Sequence, residues 1–381
     1  MKLPPLALYI HIPWCVKKCP YCDFNSHQGG GVGDALPEDG YLDALLVDLD
    51  NDLSLLEDRR TLCSIFIGGG TPSLLSGDFY RRLLRAINAR LTLADEIEIT
   101  LEANPGAVDA QRFAGFVDAG INRLSLGVQS FSDAALTALG RIHSADEALC
   151  AFELARGNGF ENINIDLMHG LPGQSLEAGL ADLSRACSLG AEHISWYQLT
   201  IERNTEFYKR PPALPDEGLL GEIFQRGLQR LAESGYRQYE VSAFSRQERC
   251  SQHNTNYWKF GDYLGIGAGA HGKLTTADGR ILRRWKRRMP SEYLQATDKL
   301  AGSKQLSVED LPLEFMMNAL RLNEGFSPAL FEARTGLGFA ALAAPLADLQ
   351  REGLLEVGPD RVRTTARGHL FLDDVLARFI P

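Results

Sequence analysis

The stretch Leu6-Ala-Leu-Tyr9-Ile-His11-Ile12-Pro13-Trp14-Cys15-Val-Lys-Lys-Cys19-Pro-Tyr-Cys22 runs from a short apolar segment straight into a loop bearing three cysteines. An apolar run of this length, bounded by prolines, reads as a buried strand. The thiols follow the pattern Cys-x-x-x-Cys-x-x-Cys. Thiolates are preferred ligands of iron–sulfur clusters, and three on one loop can grip three irons of a cubane. No fourth cysteine stands beside them, which leaves one iron open to an outside ligand. Two plainer readings use the same residues. Zinc takes four close ligands, and His11 could complete such a set. Alternatively, three thiols are simply buried.

The rhythm of strand and loop recurs downstream. Apolar runs at Leu6–Ile12, Leu62–Gly68, Ile97–Glu102, Arg123–Gly127, Asn162–Met168 and His193–Leu199 read as strands. Between and after them, Asp39–Leu56, Gly77–Arg90, Ala110–Ala119, Ala145–Asn158, Leu176–Leu189 and Leu219–Ser234 carry apolar residues at helical spacing, as in Tyr41, Leu42, Leu45, Leu46 and Leu49. Strands alternating with helices imply parallel pairing and right-handed crossovers. The expected class is α/β: a partial, TIM-like (β/α)6 barrel over residues 1–240. Residues 241–290, rich in Gly, aromatic and basic residues, have no clear period and read as a connecting segment. From 291 to 381 a smaller helical unit follows, with helices near Leu313–Leu322, Pro328–Thr335 and Ala344–Glu352, a hairpin turning at Gly358-Pro359-Asp360, and a closing helix Arg367–Phe379. Helices followed by a hairpin resemble a winged helix.

Bulk properties narrow the function. The net charge of −10 over 381 residues speaks against nucleic acid, which wants a basic face. Of seven cysteines, Cys63, Cys150, Cys187 and Cys250 are scattered, so no disulfide framework is expected. The N-terminal apolar run is interrupted by proline and histidine, unlike a signal peptide, and no apolar stretch reaches the roughly 18 residues that span a bilayer. A cytoplasmic protein without a transmembrane segment is expected.

Further polar groups fall at predicted strand ends, the ligand face of such barrels. Gly68-Gly69-Gly70-Thr71-Pro72 follows the second strand and lets backbone approach a ligand. Glu102 ends the third strand, Gln129 follows the fourth, Asp166 ends the fifth, and Arg141 lies in Leu139-Gly140-Arg141-Ile142-His143. Carboxylates accept from ribose hydroxyls or an ammonium, and arginine forks a carboxylate, so this rim suits a zwitterionic nucleoside.

The cysteine spacing resembles the signature of the radical S-adenosylmethionine family. Tyr9-Ile-His11-Ile-Pro13-Trp-Cys15, Gly68-Gly-Gly-Thr-Pro72, Glu102-Ala-Asn-Pro105, Gly127-Val-Gln129-Ser-Phe131 and Asp166-Leu-Met-His-Gly-Leu-Pro172 are similar to the branch containing oxygen-independent coproporphyrinogen III oxidase. The likeness runs from residue 6 to about 290, and the C-terminal unit is similar too. It implies a [4Fe–4S] cluster on Cys15, Cys19 and Cys22, and S-adenosylmethionine lined by Tyr9, Gly69, Gly70, Thr71, Glu102, Gln129, Arg141 and Asp166. Two departures separate the chain from the oxidase. Phe24 stands where the oxidase has a further cysteine, and Cys15 lies too near Met1 for the oxidase's N-terminal extension. Both resemble the sister group, the HemW-type haem chaperones, whose further mark is His253-Asn254-Thr255-Asn256-Tyr257-Trp258.

That resemblance implies haem as a third cofactor. A neutral imidazole is a common axial ligand of haem iron, which casts His253 as the ligand, with Tyr257 and Trp258 against the porphyrin face. Cys250 is an alternative ligand, and a loop histidine bonded to its surroundings is the plain reading. The basic run Arg283, Arg284, Lys286, Arg287 and Arg288 could pair the propionates, meet an anionic membrane or partner, or form a solvated face. On the propionate reading, alanine at Arg283 and Arg284 weakens haem binding. The expected function is uptake of haem and its transfer to acceptor apoproteins, membrane-associated ones included, by a chain that could act as a homodimer. A radical enzyme decarboxylating a porphyrinogen is the alternative, and a winged-helix regulator with a redox cluster is the third reading.

Overall fold

The computed structural model describes residues 3–29, 35–56, 60–106 and 112–381. Six strands alternate with helices along the first part of the chain: β1 Leu6–Ile12, α1 Glu38–Leu53, β2 Leu62–Gly69, α2 Gly77–Asn88, β3 Leu93–Ala103, α3 Phe113–Ala119, β4 Arg123–Gln129, α4 Ala145–Gly157, β5 Ile163–His169, α5 Leu176–Leu189, β6 His193–Gln198 and α6 Glu217–Glu233. All six pair parallel with their chain neighbours. The sequence expectation for the barrel is met closely. Of the expected helix 110–119, residues 110 and 111 lie outside the described residues.

Local chemistry explains the boundaries. Ser76, Ser144 and Ser175 accept backbone N–H bonds at the starts of α2, α4 and α5, and Glu147 reaches back to complete a capping box on α4. Strand β1 is covered on both faces: Leu6, Leu8, Ile10 and Ile12 are buried on one, and Ala7, Tyr9 and His11 alternate onto the other, where Tyr9 is half-buried.

The segment 241–290, aperiodic in sequence, is ordered and extends the sheet. After β7 Arg237–Glu240 come β8 Ala243–Ser245, α7 Gln252–Trp258, β9 Asp262–Ile266, β10 His271–Thr275, β11 Ile281–Lys286 and β12 Leu300–Gln305. The sheet has twelve strands in the order β12-β11-β10-β9-β1-β2-β3-β4-β5-β6-β8-β7. Strand β9 adds a seventh parallel strand beside β1, while β10–β12 and β7–β8 are antiparallel. The barrel is therefore an open, mixed sheet. It continues to Gln305, past residue 291.

Beyond it lie α8 Leu311–Ala319, α9 Pro328–Thr335, α10 Ala343–Arg351, the hairpin β13 Leu355–Val357 with β14 Val362–Thr364, then α11 Ala366–Leu370 and α12 Leu372–Ala377. The single closing helix expected from the sequence is broken at Phe371, whose ψ of 39° is not helical. The core of this unit, with Phe315 edge-to-face against Phe326 and Phe331, is separate from the barrel core but takes in Phe260 and Ile281 from the sheet region. Arg321 docks it onto the sheet: it donates to Glu240 at 2.9 Å and stacks over the Trp258 ring at 4.3 Å. No described helix is long and apolar enough to cross a membrane.

Candidate functional site

The cysteine loop leaves β1 at the C-terminal end of the parallel strands and is pinned from several sides. Gly70 N donates to Ile12 O and Thr71 N to Trp14 O, both at 2.7 Å. The Tyr41 hydroxyl donates to His11 O at 2.6 Å. The Asn25 amide donates to Ala268 O and to Arg288 O, each at 2.9 Å. The fold needs glycine at two points here. Gly69 has φ +118°, and a Cβ on Gly70 would stand 2.5 Å from Trp14 O. The glycine run thus serves the packing of β2 against the loop as well as access to a ligand.

Cys15, Cys19 and Cys22 share one cavity, of about 300 Å³, with Gly69, Gly70 and Thr71. Glu102, Gln129, Arg141 and Asp166 line the same cavity. Thr71 Oγ1 donates to Cys15 Sγ at 3.4 Å and Arg141 Nη1 to Cys19 Sγ at 3.6 Å. Arg141 Nη2 also donates to Asn104 Oδ1 at 2.7 Å, and Asn104 Nδ2 to Thr71 Oγ1 at 3.0 Å, so a chain of polar contacts joins two of the sulfurs. Burial pushes the Cys15 and Cys22 thiols up, which leaves them protonated until a metal takes the sulfur. Among the described residues no three His, Cys, Asp or Glu converge to hold a single ion. A cubane spreads its protein ligands over separate irons and does not need them that close. His11, the fourth zinc ligand of the alternative reading, spends its ring nitrogens on the Tyr9 hydroxyl and on Asn25 O, both at 2.9 Å. The thiol set, with donors aimed at two sulfurs, fits an iron–sulfur cluster.

The rim is polar and shielded. Glu102 is raised to about 8 by burial and by the facing Asp166 carboxylate, while the bond from Gly69 N at 3.1 Å pulls the other way. Asp166 is also raised by burial, opposed by Ser125 Oγ at 2.9 Å and Asn164 Nδ2 at 2.8 Å. Two carboxyls held reluctant to ionise together suit a ligand that brings positive charge or hydroxyl donors. Gln129 sits at φ 69°, a left-handed position that costs a non-glycine residue of the order of 1 kcal/mol. Its Oε1 accepts from the Tyr197 hydroxyl at 2.8 Å. Arg141 Nε is buried with no hydrogen-bond partner among the described residues, an orphan donor beside the cavity. The sequence reading missed Asn104, Ser125 and Tyr197. Asn104 could have been found, two residues past Glu102 at the same strand end; Ser125 and Tyr197 look inward by strand alternation alone, which marks them no more than any core residue.

Tyr9 lies elsewhere. It lines an adjoining cavity of about 500 Å³, which shares Phe24, Gly69 and Glu102 with the first. Tyr257, Tyr263, His271 and Arg288 line it too. Phe24 is 62% exposed at the junction.

Of the haem residues expected from sequence, His253 and Tyr257 are in contact, and of the three only Tyr257 lines the second cavity. His253 is only 1% exposed, beneath Tyr9 and Phe66. Its Nδ1 meets Ser64 Oγ at 3.0 Å and its Nε2 the Tyr257 hydroxyl at 2.8 Å, and burial pushes its pKa down to about 3. As folded here, it backs Tyr257 and offers no free nitrogen to either cavity. Trp258 packs under Arg321 of the C-terminal unit rather than in the cavity. The basic run is likewise not a free face. Arg283 pairs Glu314 at 2.5 Å, Arg284 and Lys286 pair Asp52 at 3.0 and 2.8 Å, and Arg287 donates to Asp298 O at 3.0 Å. Alanine at Arg283 or Arg284 would therefore break internal ion pairs, and could not test propionate binding.

A thiol cup and polar rim on the C-terminal face of an open parallel barrel define a radical S-adenosylmethionine protein, and the Radical SAM superfamily model matches residues 9–183. The HemN C-terminal domain model matches residues 306–371. "Heme chaperone HemW" of Escherichia coli K12 is 51% identical over 380 residues, covering 100% of this chain and 99% of its own. "Heme chaperone HemW" of Haemophilus influenzae is 50% identical over 382 residues, with 100% and 99% covered. The solved structure of Escherichia coli coproporphyrinogen III oxidase (HemN) superposes with a TM-score of 0.81 at 24% identity, over 99% of this chain and 90% of that one. The chain belongs to the HemW family of the radical SAM superfamily.

Proposed function

We propose that this protein is a haem chaperone, taking up haem and passing it to acceptor apoproteins. The observation that carries this reading is the pair of adjoining cavities. One holds three thiols and a nucleoside-sized polar rim; the other is larger, walled by Tyr9, Tyr257 and Tyr263, and opens past the exposed Phe24. Full-length relatives named heme chaperone support it. In this reading Cys15, Cys19 and Cys22 hold a [4Fe–4S] cluster, which when bound supplies one-electron chemistry to a ligand on its open iron. Glu102, Asp166, Gln129, Arg141, Thr71 and the Gly69–Gly70 backbone orient S-adenosylmethionine, and Tyr9 borders it from the second cavity. Cytoplasmic residence, acceptors at a membrane and a homodimer belong to the same reading, whereas nucleic acid does not.

Anaerobically reconstituted protein should bind haem stoichiometrically, seen at the Soret band, and release it to a haem-free acceptor such as apomyoglobin. It should not decarboxylate coproporphyrinogen III with S-adenosylmethionine and a reductant. Product with 5′-deoxyadenosine, and no haem transfer, would return the chain to the oxidase reading.

A further inference from the structure

We infer that His193, buried inside the barrel, is a positioning residue for S-adenosylmethionine: through Asn164 it holds Asp166 as a ready-made anion, so that of the two facing carboxyls Asp166 is the acceptor and Glu102 the acid. This rests on the assignment of S-adenosylmethionine to the polar rim above. Strands β4, β5 and β6 put Ser125, Asn164 and His193 side by side, Ser125 opposite Asn164 and Asn164 opposite His193. All three are buried. Asp166 stands two residues further along β5, on the same face and one layer nearer the ligand. In barrels of this kind such an interior layer is usually filled by branched apolar side chains. A polar layer is costly to bury unless each group finds a partner.

The chemistry of the groups fixes the direction of each bond. Asn164 Nδ2 lies 2.8 Å from Asp166 Oδ1 and 2.8 Å from Ser125 Oγ. Facing a carboxylate, that end of the amide is the donor, and Oδ1 at the other end only accepts. It takes the Ser195 hydroxyl at 3.1 Å and His193 Nδ1 at 2.6 Å, so His193 carries a proton on Nδ1. Burial first, and the Arg123 guanidinium second, push its pKa down and keep the ring neutral. Nε2 is then bare and accepts from the Tyr239 hydroxyl at 2.8 Å, while the Tyr239 oxygen accepts from Ser251 N at 3.2 Å. Ser125 Oγ donates to Asp166 Oδ2 at 2.9 Å. Every proton in the chain therefore points toward Asp166, and bonds aligned head to tail strengthen one another. Among the described residues Glu102 takes one hydrogen bond, from Gly69 N. Arg123 acts on both carboxyls and does not choose between them. Neither Asn164 nor His193 lines the cavity, so His193 reaches the ligand only through Asp166.

The test is a calorimetric titration of S-adenosylmethionine into anaerobically reconstituted full-length protein, with cluster absorbance and a cooperative melt as controls for folding. An asparagine amide reaches the place of an imidazole Nδ1, and a glutamine amide that of Nε2. His193→Asn keeps the donor to Asn164 and should bind within about twofold of wild type. His193→Gln keeps more bulk but loses that donor, and should weaken binding about tenfold. A packing role alone gives the reverse order, because His193→Asn leaves the larger cavity. In the Asp166→Asn background His193→Gln should cost nothing further, since two residues that act through one contact are not additive. If His193→Gln binds as tightly as wild type, if His193→Asn is the weaker of the two, or if the loss persists in the Asp166→Asn background, the inference is overturned and the rim assignment stands. If wild type binds no S-adenosylmethionine, both fall together.

Discussion

Arg141 and Cys19 are 122 residues apart in the chain, yet the guanidinium Nη1 donates to the sulfur at 3.6 Å. The same side chain holds Asn104 Oδ1 and Gly127 O, at 2.7 and 2.8 Å, so one buried cation ties the cysteine loop to the ends of β3 and β4. Arg141→Met keeps bulk and removes charge and donors. It should destabilise the protein by about 1.5–3 kcal/mol, the size of hydrogen bonds to a charged group. With a positive charge gone from beside a thiolate, the cluster potential should move more negative in an EPR-monitored redox titration. An unmoved potential would mean the guanidinium only scaffolds the loop.

Glu102 supplies a pH signature. Its carboxyl is raised from 4.5 to about 8 by burial first and Asp166 second. A folded pKa above the unfolded one stabilises the fold fully below 4.5, and that contribution is lost as pH rises through about 8. Glu102→Gln should therefore raise the melting temperature of the ligand-free protein at pH 8.5 more than at pH 6. Binding of S-adenosylmethionine by wild type should strengthen over the same rise in pH, since a cationic ligand prefers the carboxylate. Calorimetry at several pH values, with a flat affinity profile, would remove Glu102 from the ligand's charge balance.

Gly70→Ala tests the loop packing. The new Cβ would stand 2.5 Å from Trp14 O and 3.0 Å from Ile12 O, both main-chain atoms that cannot swing away. The expected cost is about 1–3 kcal/mol, as for overpacking, together with poor cluster incorporation. Gly157→Ala is the control. Nothing lies within 4 Å of its Cβ, it ends α4, and it should be neutral or stabilising by up to about 1 kcal/mol. Equal iron content in the two variants would show that Gly70 needs no close approach.

Arg321→Ala tests the docking of the C-terminal unit. Glu240 is 3% exposed, and Arg321 is its partner from that unit. Leaving the carboxylate without its cation should cost about 2–3 kcal/mol. Because most of the unit's core lies apart from the barrel core, with Phe260 and Ile281 as the shared apolar contact, an earlier calorimetric transition is expected in this variant. A single transition at the wild-type temperature would mean the remaining contacts, Arg283–Glu314 and Asn323 with the Gln238–Tyr239 backbone among them, hold the two parts together without Arg321.

Much of this architecture was legible in residue order. Helix α5 and helix α9 fall at the residues their period and caps indicate, and the hairpin turns at Gly358-Pro359-Asp360 between β13 and β14. Glu102 and Gln129 were recognisable as rim residues because each stands at the end of an apolar run, and a strand's C-terminal end is a position in sequence; Asp166 lies within β5, three residues before its end. The region 241–290 hid its strands. Strands β9 to β11 are short and carry Lys273, Arg283, Arg284 and Lys286 at positions that read as solvent-facing. Asp262 takes Lys273 at 2.7 Å, and Asp48 with Asp52 takes Lys286 at 2.5 and 2.8 Å, so the charges are buried in pairs.

By itself the sequence determined the thiol spacing, the alternation of strand and helix, and the family, since these depend on neighbours along the chain. The tertiary structure alone decided which histidine faces a cavity and which arginines are paired. His253 is capped by Ser64 and Tyr257, and Arg284 is neutralised by Asp52, from segments 189 and 232 residues away in the two longer cases. A lone pair or a charge is available only if no distant segment covers it, and chain closure over such separations follows from the whole packed core rather than from any local pattern.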